Sequence, residues 1–438
     1  METQESTNNK FLNLVFNKWE GGREIYNLSE YIGNQGFNDP SGMFDFYERY
    51  YHEHLGFERY PIPIKKWKIQ DVYDNPSIQF YYAIKTNFGL KDIFVDREGK
   101  FDDDVLKCFK ECSNITFMYI REHESETRED FDSLKQYIHS NQLPENQFLI
   151  ISNNPNIKNY IKHTNSQIKF HQLNLLKITS SSVFSDVETR FLENKNGKFF
   201  SCFNKNPKRH RYTILSLLDY YNLLDDTNWS LIGKVHNTDK YVYKDYLPAE
   251  LWEKIDFTKF GDVELKESDY ETNLGYFNSD LSVNYQDFPK LSKGGAASGG
   301  MMLPEFVNTF ENNYVNIVTE SIFDDVTETI HITEKSIRPF YFYMFPLILT
   351  TKGHIKYMRE NYGFDFYDDI IDHSYDLEEN QSKRMNMFIN EIIRINNNRE
   401  LFKDFYKNNK KRFENNKKIV ESLSNDTNDY EYFKSILS

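Results

Sequence analysis

Residues 114–171 read NITFMYIREHESETREDFDSLKQYIHSNQLPENQFLIISNNPNIKNYIKHTNSQIKFH, and this stretch decides the fold class. Short runs of β-branched and aromatic residues alternate in it with segments whose apolar residues recur at helical spacing. We predict strands at 115–120, 148–152 and 168–171, separated by helices at 127–137 and 157–161. A β-α-β-α-β order with short connections is typical of a parallel sheet covered by helices.

A second α/β series follows a polar stretch at 179–198. Its predicted strands span 199–203, 229–232, 315–319 and 347–350, and its helices begin near Pro207, Thr333 and Gly353. We expect an α/β protein with two Rossmann-like domains that face a central cleft, because open α/β sheets bind ligands at the carboxyl ends of their strands. The expected domains are 1–195 and 196–397, followed by an amphipathic helical tail at 398–438. Residues 293–300, KGGAASGG, read as a flexible linker, natural or introduced.

Composition and charge narrow the class of protein. The 438 residues are 39% hydrophobic and 16% aromatic, which is enough to build sizeable cores. A net charge of −14 makes the chain a poor default binder of nucleic-acid backbones and anionic membranes.

The three cysteines are too few for a disulfide-stapled secreted fold, and Cys108 and Cys112 are expected one turn apart on a helix. The N-terminus lacks a signal-peptide pattern, and no apolar run reaches the ~18 residues of a membrane span, so we expect a cytoplasmic protein.

The first candidate site is a basic helix start. The segment FFSCFNKNPKRHR at 199–211 leads from a strand through Asn204 into a helix that begins with Lys208, Arg209 and Arg211. Helix N-termini bind anions through free N–H groups and the helix dipole, and the added cations favour a diphosphate. The alternative is a solvated basic helix start without a ligand.

The second candidate site combines a strand end with another helix start. Glu320 follows the apolar strand at 315–319, where a carboxylate can accept hydrogen bonds from ribose hydroxyls. The segment ITEKSIRP at 332–339 places Lys335 and Arg338 on one face of the first helical turns, within reach of phosphate oxygens. The alternative is an ordinary surface cluster of Glu, Lys and Arg.

Together these segments resemble the donor half of GT-B glycosyltransferases. The strings NIVTES, ITEKSIRPF and PLILTTKGHIKYMRENYGFDFYDDIIDHSYD look like a family of phage and environmental glycosyltransferase-like proteins with a fucosyltransferase-like donor pattern, over about residues 197–394. The resemblance implies a GT-B fold and a nucleotide-diphosphate sugar as donor substrate, with UDP or GDP left open. The donor-binding residues that it implies are Asn204, Lys208, Arg209, Arg211, Glu320, Thr333, Glu334, Lys335 and Arg338. Of these, Thr333 would cap the helix, Glu320 would hold hydroxyls, and Lys335 and Arg338 would hold the diphosphate.

The resemblance also implies a general base on the N-terminal domain, as in inverting GT-B enzymes. The predicted strand at 115–120 ends in the sequence REHE. Glu124, then His123, then Glu122 are therefore the candidates to take the proton of the acceptor hydroxyl. The alternative is a charged loop that precedes a helix and has no catalytic role.

Acidic runs at 102–104, 324–325 and 368–369 invite a metal site. Solvated acidic turns are the commoner explanation of such runs. We expect no metal requirement, because the basic helix start supplies cations that can neutralise a leaving diphosphate.

The function expected from the sequence is transfer of a sugar from a nucleotide-diphosphate sugar to an acceptor hydroxyl. A P-loop, a GxGxxG after a strand, an HExxH, a paired CxxC and a GxSxG are all missing from the sequence. The acceptor is a glycan or a modified DNA base, and the net charge speaks against DNA. For a viral chain, the host cytoplasm would be the site of action. The alternative function is a non-catalytic GT-B-like scaffold that binds a nucleotide or a sugar.

Overall fold

The chain forms two compact units. The first comprises Met1–Leu175, Thr327–Thr329 and Asn425–Ser438, and the second comprises Leu176–Val326 and Ile330–Ser424. The sequence prediction places the boundary at 195 instead, and its linker at 293–300 lies outside the described residues. The computed structural model describes residues 12–16, 18–19, 23–24, 64–85, 103–121, 128–172, 187–204, 208–231, 246–247, 251, 253–255, 276–277, 304–323, 329–423, 432 and 435.

The first unit contains a parallel sheet of six described strands. They are β1 (Leu12–Phe16), β2 (Ile64–Lys68), β3 (Phe80–Lys85), β4 (Ile115–Arg121), β5 (Phe148–Ser152) and β6 (Lys169–Gln172). They lie in the order β2-β1-β3-β4-β5-β6, and neighbouring strands among these six pair in parallel. The described helices that connect them are α1 (Ile69–Asp74), α2 (Asp103–Glu111), α3 (Arg128–Ser140) and α4 (Asn156–His163). A short antiparallel pair, Lys18–Trp19 with Arg23–Glu24, lies outside this sheet.

Both faces of this sheet are covered. On one face, the ring of Phe148 lies 5.5 Å from that of Phe117 and 6.0 Å from that of Phe109 on α2. On the other face, Met118 and Ile151 are fully buried. Burial on both faces explains why β4 and β5 are continuous apolar runs.

The C-terminal residues belong to the first unit. The ring of Tyr432 stacks on His171 at the end of β6, with 3.8 Å between centroids. The chain therefore begins in this unit and returns to it after the second unit.

The second unit contains a sheet of five described strands. They are β7 (Phe200–Asn204), β8 (Thr227–Leu231), β9 (Tyr276–Phe277), β10 (Val315–Thr319) and β11 (Phe345–Leu349). Their order is β9-β8-β7-β10-β11, with β9 antiparallel and the other strands parallel. Counted along the chain this is the order 3-2-1-4-5 of a Rossmann-like sheet, in which the winding direction reverses between β7 and β10.

Helices cover this second sheet, and the C-terminal helices dock on it. The described helices are α5 (Arg209–Tyr220), α6 (Pro304–Asn312), α7 (Glu334–Tyr341), α8 (His354–Tyr362), α9 (Gln381–Asn397), α10 (Arg399–Asn408) and α11 (Lys410–Leu423). Phe402 and Phe413 lie 5.3 Å and 5.2 Å from the ring of Phe345 in β11. These contacts fix α10 and α11 to the second unit.

A buried lysine ties the strand starts of the second sheet together. The Lys195 ammonium donates to the carbonyl oxygens of Asn313 at 2.8 Å and Tyr343 at 3.0 Å, which precede β10 and β11. It also lies 4.9 Å from the ring centroid of Tyr406. Burial lowers the pKa of Lys195 to about 7, although the carboxylate of Glu311 opposes this shift.

Lys195→Met is expected to lower the free energy of unfolding by about 1–3 kcal/mol, because it leaves buried carbonyl oxygens without their donor. Urea unfolding measures this loss. The matched control is Lys418→Met, an exposed lysine on α11, which should change stability by less than about 0.5 kcal/mol. Equal midpoints for the two variants would contradict a bonding role for Lys195.

Most of the predicted strands and helices are confirmed within one or two residues. The strands at 148–152 and 315–319 are found with the predicted bounds, and α8 begins one residue after Gly353 and ends before Gly363, whose φ is 76°. One helix start differs: α5 begins at Arg209 with Lys208 as its N-cap, two residues after the predicted start at Pro207. The described part of the chain has no helix that is both long and apolar enough to cross a membrane.

Candidate functional site

The two strands at the reversal of the second sheet separate toward their carboxyl ends. The pairing of β7 with β10 covers only Val315 with Phe200 and Asn316 with Ser201, whereas β10 and β11 pair over all five residues. Beyond that point, side chains bridge the strands, because the Thr319 hydroxyl donates to the side-chain oxygen of Asn204. Such a gap is where open α/β sheets bind their ligands.

The start of α5 holds the backbone that follows β10. Arg211 donates to the carbonyl oxygens of Thr319 at 3.2 Å and Glu320 at 3.3 Å. The ring of His210 donates to the Glu320 carbonyl oxygen at 2.8 Å, and Lys208 donates to that of Ser321 at 2.8 Å. Three consecutive carbonyl groups therefore accept from Lys208, His210 and Arg211, of which Lys208 and Arg211 were predicted to face a phosphate.

The Glu320 side chain binds the start of α7. Its carboxylate is fully buried and accepts from the Thr333 amide at 3.2 Å, from the Thr333 hydroxyl at 2.8 and 2.9 Å, and from the Ser336 hydroxyl. The Thr333 hydroxyl in turn accepts from the Lys335 amide at 3.3 Å, so Thr333 caps the helix as predicted. The carboxylate thus fixes where α7 begins and which way its first turn points.

Charge and hydrogen bonds keep Glu320 ionised despite its burial. Burial alone would raise the pKa of Glu320, but Lys335, His354, His331 and the Ser336 hydroxyl outweigh it and lower the pKa to about 2. Both histidines are buried, which lowers the pKa of each to about 4. At neutral pH they are uncharged, so Lys335, Arg211 and Arg338 supply the positive charge near Glu320.

The tautomer of His354 follows from this bonding. Ser336 must donate its hydroxyl proton to the Glu320 carboxylate, which is ionised and can only accept. The Nε2 atom of His354, 3.0 Å from the Ser336 oxygen, must therefore carry a proton and donate to it. The Nδ1 atom of His354 is then an unprotonated acceptor, buried and without a hydrogen-bond partner among the described residues.

The cations of α7 differ in their exposure. The Lys335 ammonium pairs with the Glu334 carboxylate at 2.9 Å, and each side chain is 18% exposed. Arg338 is buried, with its guanidinium 4.9 Å from the ring centroid of Phe310, and its Nη2 atom has no partner among the described residues. Burial lowers the pKa of Arg338 to about 10, while Glu334 and Glu320 oppose this shift. Lys335 is thus accessible from solvent, and Arg338 lies beneath it with spare donor capacity.

The structure places the predicted donor-side residues around this gap in two layers. Asn204, Arg211, Glu320, Thr333 and Arg338 are buried. The accessible members are Lys208, Arg209, Glu334 and Lys335. The three candidate bases, Glu122, His123 and Glu124, lie outside the described residues.

Four further residues belong to the same network and were not predicted. They are His210, Ser336, His331 and His354. Ser336 had a signal in the sequence, since it lies three residues after the N-cap Thr333, where a side chain can fold back toward the helix start. The histidines gave no such signal, because their partners come from distant segments.

The acidic run at 368–369 lines a cavity of about 450 Å³ beside α8 and α9. Its carboxylates are used in ion pairs: Asp368 pairs with Arg359, and Asp369 pairs with Arg412 at 2.7 Å. Asp376, also in the lining, accepts from the amides of Ile355 and Lys356 at 3.0 Å and so caps α8. Within the described ranges, no group of three or more His, Cys, Asp or Glu side chains is arranged to hold a metal ion.

Comparisons with protein-family models, with curated proteins and with solved structures found no match to this chain.

Proposed function

We propose that the protein is a glycosyltransferase of GT-B type that uses a nucleotide-diphosphate sugar. The observation that carries the proposal is the convergence of two helix starts, α5 and α7, on the gap between β7 and β10. Each helix start presents positive dipole charge to this gap, and the accessible cations Lys208, Arg209 and Lys335 add to it. A diphosphate is the ligand chemistry that fits this arrangement.

In the proposed reaction, the acceptor oxygen bonds to the anomeric carbon as the bond from that carbon to the diphosphate breaks. The leaving diphosphate gains negative charge, which Lys335 and Lys208 stabilise at the helix starts. The acceptor proton passes to a base, for which the candidates remain Glu122, His123 and Glu124, which lie outside the described residues. Cations on the protein perform the neutralisation, so the proposal needs no bound metal.

The burial of Glu320 and Arg211 changes the roles proposed for them. Both bind protein groups rather than solvent-facing ones, so we assign them to positioning the two helix starts. Glu320 orients the first turn of α7, and Arg211 holds the backbone at Thr319 and Glu320. The residues that we propose to contact the nucleotide sugar directly are then Lys208, Arg209 and Lys335. Arg338 is buried and supports them from the same helix as Lys335.

Thermal unfolding with a panel of nucleoside diphosphates and nucleotide sugars tests the proposal. A ligand at a hundredfold excess over its dissociation constant stabilises the native state by ~2.7 kcal/mol. Lys335→Ala is expected to weaken the binding of the best nucleotide at least tenfold, about 1.4 kcal/mol, because a charge-assisted bond is lost. The control is Lys403→Ala on α10, which loses only an exposed pair with Glu400 and should bind normally. Stabilisation by no nucleotide would overturn the donor site.

A second candidate function is a non-catalytic scaffold that binds a nucleotide or a sugar. It is favoured by one observation: Glu320, Arg211, His210 and Thr333 already have protein partners. The two functions separate in one assay. A scaffold binds the nucleotide but neither hydrolyses nor transfers the sugar, and substitution of Glu122, His123 and Glu124 leaves binding unchanged.

A further inference from the structure

The thiols of Cys108 and Cys112 lie side by side at the end of α2. The two residues are four apart, so they share one face of the helix, and their side chains are in hydrogen-bond contact. Cys108 is fully buried, whereas Cys112 is partly exposed and is the first residue after the helix. The Cys112 thiol is therefore accessible to a solute, whereas the Cys108 thiol is not.

The surroundings of the pair give the two thiols different chemistry. Burial, followed by the neighbouring Cys112, raises the pKa of Cys108 to about 12, so this thiol does not react first. The phenol of the partly exposed Tyr73 on α1 contacts both the Cys108 thiol and the Glu111 carboxylate. Reaction with a solute must therefore begin at Cys112.

The helix end supplies the movement that a disulfide needs. Residues four apart in a helix have Cβ atoms about 5–6 Å apart. A disulfide needs about 3.5–4.5 Å. The two Cβ atoms can approach if the last helical turn opens. This opening breaks one helical hydrogen bond, from the Cys112 amide to the Cys108 carbonyl oxygen at 2.8 Å. In mid-helix the same movement would disturb bonds on both sides.

We propose that Cys108 and Cys112 are a reversible redox dithiol that a low-molecular-weight disulfide oxidises to an internal disulfide. The Cys112 thiolate attacks the small disulfide, forms a mixed disulfide and releases one small thiol. The Cys108 thiolate then attacks the Cys112 sulfur, forms the internal bond and releases the second small thiol. Two protein thiols and one small disulfide thus become one protein disulfide and two small thiols, which carry the two protons.

Oxidation has a local structural consequence. The internal disulfide holds the last turn of α2 open and pulls on the backbone of Cys112, whose carbonyl oxygen accepts from the Gln147 side chain at 2.6 Å. A disulfide held against this helical geometry is strained, and strained disulfides are more easily reduced. The pair is therefore a reversible site of modification on the first unit, independent of the proposed glycosyltransferase activity.

The test exposes the full-length protein to oxidised glutathione, followed by thiol counting under denaturing conditions. The expected count falls from three free thiols to one, because Cys202 is fully buried in the second unit and stays free. Trypsin cuts after Lys110, between the two cysteines, so the internal disulfide appears as a cross-link between two peptides. Mild reduction with dithiothreitol restores the count of three.

Three variants distinguish the internal disulfide between Cys108 and Cys112 from other reactions of the thiols. Cys112→Ser is expected to keep both remaining thiols, and Cys108→Ala is expected to stop at a glutathione adduct on Cys112. Cys202→Ser is the matched control and should still form the cross-linked peptide. An unchanged count, or a glutathione adduct on Cys112 of the unsubstituted protein without a cross-link, would overturn the proposal.

Discussion

Acidification from pH 6.5 to about pH 4 is expected to unfold the second unit. Four of its histidines are buried: His210, His331, His354 and His373. Burial lowers the pKa of each, to about 3 for His210 and His373 and about 4 for His331 and His354. In the unfolded chain each histidine takes up its proton near pH 6.5.

The direction of the effect follows from proton uptake. Between pH 6.5 and pH 4 the unfolded state binds these protons and the native state does not, so the stability contributed by the four histidines is full above about pH 6.5 and falls as the pH drops. Each histidine contributes about 1.4 kcal/mol per pH unit, and four together contribute about 5 kcal/mol per pH unit at the steepest point. The total free energy of unfolding of a domain is about 5–15 kcal/mol. The loss of about 5 kcal/mol per pH unit below pH 6.5 reaches this range near pH 5, where unfolding is expected.

Urea midpoints measured from pH 7.5 to pH 4.5 check this expectation. His354→Gln keeps a donor toward Ser336 and removes one titrating group, so it should reduce the slope by about one quarter. The matched control is His163→Gln on α4, an exposed histidine of the first unit, which should leave the slope unchanged. A midpoint that stays constant from pH 6.5 to pH 4.5 would refute the linkage.

The strands were predictable because they are buried on both sides. β5, β10 and β11 are covered throughout, and complete burial requires the continuous apolar runs that the sequence displays. The helix ends at Thr333 and Gly363 were predictable because local chemistry decides them. At these positions the residues that form the sequence pattern are the same residues that determine the strand or the helix end.

The topology of the first residues was not predictable, because its determinants are far apart in sequence. β1 pairs with β2, whose residues lie about fifty positions later, and with β3 beyond it. The two-residue strand β9 is too short to give an alternating pattern. Pairings of this kind depend on which segments meet in the folded sheet.

The structure brings Glu320, Thr333 and Lys335 together, but the hydrogen-bond partners of these residues were not predictable from the sequence. A strand-end glutamate before a basic helix start predicts an exposed carboxylate that can bind a ligand. The structure instead buries Glu320, because Ser336 and Thr333 fold back over it and His354 from another segment closes the cluster. One sequence pattern is compatible with both arrangements, and only the packing of α7 and α8 decides between them.

Glu320→Ala is expected to lower the free energy of unfolding by about 3–5 kcal/mol, which is the cost of breaking a buried, hydrogen-bonded charge pair. It leaves the Thr333 amide and hydroxyl and the Ser336 hydroxyl without an acceptor, and it removes a buried negative charge near Lys335, which keeps its pair with Glu334. Removal of an exposed carboxylate that binds only a ligand would instead weaken ligand binding and leave the fold intact.

Glu320→Gln separates the loss of charge from the loss of hydrogen bonds. Glutamine has the same shape and keeps one acceptor oxygen, so its cost should be smaller, about 1–3 kcal/mol. Urea unfolding at pH 7.5 gives both values, and nucleotide binding to the folded fraction of each variant shows how far α7 is displaced. If Glu320→Ala unfolds at the midpoint of the unsubstituted protein, the carboxylate does not hold the start of α7. The burial of the Glu320 carboxylate would then have another cause, and a direct contact between Glu320 and ribose hydroxyls would be the better proposal.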